Sequence, residues 1–170
     1  EATLAFRRHL WSLGFAVVAN PQGLVSSDLS RLRSVSGVAA SPDGKRLAYT
    51  VVMRDRPGRP YGQLWIMDLS TQKSVRVGGD KDGGGSGVWS PDSKWLTYSK
   101  YLPSHFRAVF VYSIESGKKS QVTDGMGEAR FPVFDKNGKY IYFGASTDFG
   151  LSSGWLDLTS FQHPVSRNIY

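Results

Sequence analysis

The sequence contains no cysteine, which excludes a disulfide framework and a cysteine-ligated zinc site. Histidine is sparse: His9, His105 and His163 are the only three, too far apart in sequence to form a metal-ligand pattern. No apolar run approaches the ~20 residues that a membrane-crossing helix needs. The nucleophile pattern Gly-x-Ser-x-Gly is missing as well. Its nearest approximation, Gly84-Gly85-Ser86-Gly87-Val88, has the wrong spacing and leads into a strand rather than a helix. Asp80-Lys81-Asp82 with the glycines after it lacks the distal glutamate of a calcium loop and the Gly-Lys-Ser/Thr ending of a phosphate loop. It reads as a flexible connection. No cofactor and no metal are expected.

Glycine is abundant at 19 residues, with eight prolines, which suits many short strands joined by tight turns. The net charge of +7 is spread along the chain, much of it at turn positions such as Lys45, Lys94, Lys118 and Lys139. That scatter argues against a nucleic-acid surface. Residues 1–36 form an N-terminal segment. Arg7-Arg8-His9 precedes the apolar stretch Leu10–Ala19, which reads either as a signal-like leader or as a short capping helix or strand. Compartment is not fixed by the sequence, although the leader-like stretch leans towards a bacterial periplasmic or secreted protein.

The dominant feature is a repeat. Ser41-Pro42-Asp43-Gly44-Lys45-Arg46-Leu47-Ala48-Tyr49, Ser90-Pro91-Asp92-Ser93-Lys94-Trp95-Leu96-Thr97-Tyr98 and Asp135-Lys136-Asn137-Gly138-Lys139-Tyr140-Ile141-Tyr142-Phe143 align without gaps, at offsets of 49 and 45 residues. Serine or aspartate opens a type I turn, proline presets the next φ, and glycine suits its last position. Alternation follows, with Leu47, Tyr49 and Val51 on one face and Ala48, Thr50 and Val52 on the other, which predicts a strand. Val38-Ala39-Ala40, Val88-Trp89 and Val133-Phe134 supply the strand before each turn. Leu64–Leu69 and Val109–Ile114 supply a third, and segments holding Val75 and Val77, or Val122, a fourth. Four antiparallel strands per unit make a propeller blade.

The fold class is therefore all-β: a partial β-propeller of about two and a half four-stranded antiparallel blades, with units at about 37–79, 86–124 and 131–170. The third unit carries an insertion after Phe143, and Arg167-Asn168-Ile169-Tyr170 begins its third strand. A propeller closes with roughly four to eight blades. The expected partners are accordingly the remainder of a longer chain, or further copies, covering exposed blade edges. No nucleic-acid partner and no membrane span are expected.

The three turn segments resemble the TolB-like propeller repeat. Asp28–Ser36 followed by Ser41–Tyr49 resembles the opening of propellers in the prolyl oligopeptidase family. Val122–Met126, Ala129–Pro132, Ala145–Asp148 and Ser153–Asp157 are similar to tricorn-type protease propellers. The resemblance covers residues ~28–170. It implies a non-catalytic segment that scaffolds or gates peptide access to a peptidase domain elsewhere; the alternative is a TolB-like protein-interaction module without a peptidase partner. The expected partner is a peptide or protein, and no catalytic residue can be carried over. The binding-loop candidates are His105, Arg107, Asp148 and Trp155.

Overall fold

The computed structural model describes residues 33–55, 60–79, 84–150, 152–153, 156–158 and 164–170. The leader-like or capping stretch within residues 1–27 lies outside them. Among the described residues, three antiparallel blade sheets follow one another along the chain, with a separate two-stranded hairpin inserted in the third. Blade 1 comprises β1 (Ser34–Ala40), β2 (Arg46–Met53), β3 (Tyr61–Asp68) and β4 (Ser74–Arg76), paired in that order. Blade 2 comprises β5 (Val88–Trp89), β6 (Trp95–Tyr101), β7 (Arg107–Ser113) and β8 (Lys119–Gln121), again in order. Blade 3 has β9 (Glu128–Phe134) and β10 (Ile141–Ser146), then a small hairpin of β11 (Ser152–Ser153) and β12 (Leu156–Asp157). β13 (Asn168–Ile169) pairs with β10, which makes the order β13-β10-β9 and gives β13 the place of a third strand. Among the described residues there is no helix.

The repeated turns form for the reason their residues suggest. The Ser41 hydroxyl donates to Asp43 Oδ1 (2.6 Å) and accepts from the Arg46 amide (2.9 Å). The Lys45 amide donates to the same Asp43 oxygen (3.0 Å). Ser90, Asp92, Lys94 and Trp95 repeat the arrangement atom for atom. In blade 3 a carboxylate replaces the hydroxyl, so Asp135 Oδ1 accepts from the Tyr140 amide (2.9 Å). The fourth turn residue has positive φ in every copy: +69° at Gly44, +60° at Ser93 and +70° at Gly138. That conformation costs an L side chain and is free for glycine.

Each blade is a slab with neighbours, and this changes how the alternation reads. Ala48, Tyr49 and Thr50 are consecutive yet all buried, as are Leu96, Thr97 and Tyr98. Both faces of a second strand are covered, so the period-two pattern does not separate a wet face from a dry one. The core between blades 1 and 2 gathers Ala48, Leu64 and Ile66 against Leu96, Tyr98, Ala108, Phe110 and Tyr112, with Tyr98 and Phe110 stacked at 5.7 Å. Fully burying a side chain of leucine size stabilises by roughly 1.5–3 kcal/mol. Buried Thr97 satisfies its hydroxyl by donating to the Phe110 carbonyl (2.9 Å).

The fourth strands are shorter than their apolar residues suggest. Val77 and Val122 fall just beyond β4 and β8, yet each amide still donates to the neighbouring third strand, at Leu64 and Val109 (both 2.8 Å). The first strands converge: β5 packs against both β1 and β9, and the Trp89 indole donates to the Ala39 carbonyl across the first junction (3.0 Å). The first strands are thus innermost and the fourth strands outermost.

Candidate functional site

The repeated turns lie at one end of the blades. The connections β2–β3, β6–β7 and β10–β13, with the starts of the first strands, lie at the other. Three of the four binding-loop candidates fall at this second end. His105 sits exposed in the β6–β7 turn at φ +65°, its amide donating to the Leu102 carbonyl (3.0 Å). Arg107 opens β7, with its guanidinium 4.3 Å from the Tyr101 ring centroid. Asp148 follows β10 and accepts a hydrogen bond from the Ser166 hydroxyl. Trp155 lies outside the described residues.

What joins this end is a residue absent from the candidate set. Glu128, at the start of β9, is fully buried. One carboxylate oxygen accepts from the Arg107 amide of blade 2 (2.7 Å), and the other pairs with Arg130 Nε. The Arg107 Nε is 4.0 Å from that second oxygen. Two cations and an amide offset the desolvation that would otherwise expel a buried carboxylate. Arg130 in turn lies 4.8 Å from the Phe149 ring centroid, and Arg167 lies 5.4 Å from the same ring. The structure therefore joins Arg107 to the segment carrying Asp148 through Glu128, Arg130 and Phe149. His105 stands apart on its turn. The one sequence signal for this knot is Glu128-Ala129-Arg130, an acid and a base two residues apart and hence on one side of a strand.

A shallow cleft of about 360 Å³ opens beside the knot. Thr123 and Met126 of the blade 2–3 connection form one wall, and Ala129, Phe143, Ser146 and Tyr170 of blade 3 the other. Among the described residues, no three His, Asp or Glu side chains come together in a metal-binding group. Ser86 lies so close to β1 at the first junction that a Cβ on Gly37 would collide with its hydroxyl.

No family model matches the chain. It is 28% identical over 137 residues to tricorn protease homolog 1 from Streptomyces coelicolor, covering 80% of this chain and 12% of that relative. The chain thus spans about an eighth of that relative's length. Among solved structures, the tricorn protease superposes with a TM-score of 0.56 at 20% identity, covering 66% of this chain and 11% of the other. TolB from Acinetobacter baumannii gives 0.51 at 18% identity, covering 66% and 27%. Prolyl oligopeptidase B from Galerina marginata shares the fold at 0.50 and 19%, covering 74% and 19%. The chain is a partial β-propeller whose TolB-like repeats resemble the propellers of tricorn-type and prolyl oligopeptidase-family peptidases.

Proposed function

We propose that this chain is the non-catalytic propeller segment of a peptidase-related protein, and that its blades scaffold and restrict peptide access to a peptidase domain elsewhere in that protein. The observation that carries the reading is the likeness to a tricorn protease homologue over 80% of the chain, and the first strands also carry apolar side chains. β1 is exposed along nearly its whole length, and Val35, Val38, Phe131 and Val133 stand 44%, 61%, 70% and 45% exposed on first strands. In a propeller the first strands lie nearest the axis, where an extended peptide would pass. His105, Arg107 and Asp148 would then present contacts at one mouth of the channel.

The reading frame that encodes the chain tests this directly. A peptidase domain in frame beyond Tyr170 is the expected result, and a frame that encodes propeller alone would contradict it. In that second case the likeness to TolB favours a protein-interaction module, and a pull-down would recover a protein partner without associated proteolysis.

A further inference from the structure

Three asparagines occur in the chain, and only one stands before a residue that leaves its backbone nitrogen open to attack. Asn20 precedes Pro21, whose nitrogen carries no hydrogen. Asn168 precedes Ile169, whose branched Cβ crowds the amide, and it is paired with Ala145 across β13 and β10. Asn137 precedes Gly138, which has no Cβ. Both of these residues lie exposed in the turn that joins β9 to β10.

The repeat sharpens the contrast. The equivalent residues of blades 1 and 2 are Asp43 and Asp92, whose ionised carboxylates resist attack by an amide nitrogen. They are also tied into their turns: Asp43 Oδ1 accepts from the Ser41 hydroxyl and the Lys45 amide, and Asp92 Oδ1 from the Ser90 hydroxyl and the Lys94 amide. In blade 3 the Asp135 carboxylate does the capping, accepting from the Tyr140 amide. The Asn137 carboxamide is thereby released, and among the described residues no hydrogen bond holds it. The Gly138 amide donates to the Asp135 carbonyl (3.0 Å), a bond at an exposed hairpin tip that opens without disturbing the blade.

We propose that Asn137 is a site of spontaneous deamidation, and that this modification loosens the seat of blade 3 on blade 2. When the tip opens, the Gly138 nitrogen loses its proton and bonds to the Asn137 Cγ, and the side-chain nitrogen leaves as ammonia. Water then opens the five-membered imide. Opening at Cγ gives aspartate; opening at the main-chain carbonyl gives isoaspartate, with the backbone lengthened by one methylene. Either product adds a carboxylate two residues from that of Asp135, so like charges crowd one turn. The tip is also a contact point, since a Cβ on Gly138 would stand 3.5 Å from Pro91 Cδ in the repeated turn of blade 2. A longer and more negative tip fits that contact less well. The conversion draws only on water, and it stands whether or not the blades guide peptides.

The test keeps the full 170-residue chain in mildly alkaline buffer over weeks, with a urea-unfolded portion as reference. The chymotryptic peptide Asp135–Tyr140 is prepared in heavy-oxygen water, which marks any conversion during digestion, and electron-transfer fragmentation separates aspartate from isoaspartate. The folded chain should gain the mass of amide-to-acid exchange at Asn137. Its rate should fall within about tenfold of the unfolded reference, the factor by which a single hydrogen bond holds the tip closed. Asn168 should stay unconverted in the folded chain. Hydrogen exchange on the aged chain should quicken at β9 and β10 and stay unchanged at β2 and β3. Asn137→Gln, whose longer side chain closes a ring far more slowly, should keep both its mass and its exchange. An Asn137 that stays intact in the folded chain while the unfolded reference converts overturns the proposal. Conversion without quickened exchange at β9 and β10, or the same quickening in aged Asn137→Gln, overturns the loosening.

Discussion

The backbone amide of Asp43 donates to the hydroxyl of Ser93 at 3.0 Å, joining the repeated turn of blade 1 to that of blade 2. Ser93 does this from φ +60°, where the other two copies of the turn have glycine. The side chain thus brings a bond between blades at the cost of an unfavourable backbone. Ser93→Ala keeps the cost and loses the acceptor, and should destabilise by about 1–2 kcal/mol. Ser93→Gly relieves the backbone as it loses the bond, and should fall within about 1 kcal/mol of the parent. Urea denaturation of the two variants checks the order. Equal losses would mean that the strain contributes nothing, and no loss in Ser93→Ala would mean that the bond contributes nothing.

Glu128 makes a stronger demand. Its carboxylate is fully buried and satisfies the Arg107 amide and the Arg130 guanidinium together. Glu128→Ala leaves both without their acceptor and should cost about 2–4 kcal/mol. Glu128→Gln preserves shape and an acceptor and should cost roughly half as much. Hydrogen exchange should show the loss concentrated at β9, the start of β7 and the segment around Phe149. A uniform loss across all three blades would contradict the knot described here.

Gly37 and Ser86 test how tightly blades 1 and 2 are seated. Gly37 lies at φ +59° and has no room for a Cβ against Ser86. Gly37→Ala should destabilise by at least about 2 kcal/mol. Adding Ser86→Gly removes the collision but not the φ penalty, so about half of the loss should return. The double-mutant cycle measures the difference.

Acid should loosen the turns within a defined window. Hydrogen bonds from Ser41 and Ser90 lower the carboxyl groups of Asp43 and Asp92, and the Tyr140 amide lowers Asp135. The Ser70 hydroxyl, with the Thr71 amide, holds Asp68 at about 2. All four values are depressed in the folded state, so the stability they contribute is complete above their unfolded values near 3.8 and is lost as pH falls towards 2. The thermal midpoint should therefore drop between about pH 4 and pH 2. The double variant Ser41→Ala, Ser90→Ala should have a lower midpoint at pH 7 and a shallower fall in acid. An unchanged acid slope would remove the serine hydroxyls as the cause.

The blades were legible because their determinants are local. Ser41, Asp43 and Gly44 satisfy one another within a few residues, so a single turn betrays its hairpin, and the near-constant spacing betrays the blade. The third strand of blade 3 at Asn168–Ile169 was readable in the same way. Burial by face was not. Ala48 and Thr97 alternate as a half-exposed strand would, and only the neighbouring blades bury both sides. The Glu128 knot was largely hidden for a related reason: beyond the Glu128-Ala129-Arg130 spacing, its partners come from β7 and the segment after β10, and no spacing connects those. Nothing local marks the positive φ of Phe131, since its sign depends on the register break opposite β10.

The central claim is that these blades hold an unfolded peptide without acting on it. The direct measurement follows a labelled unfolded peptide with the full chain, recording anisotropy and, from the same mixture, the peptide's mass over time. Saturable binding with the peptide recovered intact is the predicted result. Turnover of the peptide by the purified chain, or the lack of any saturable binding, would contradict it.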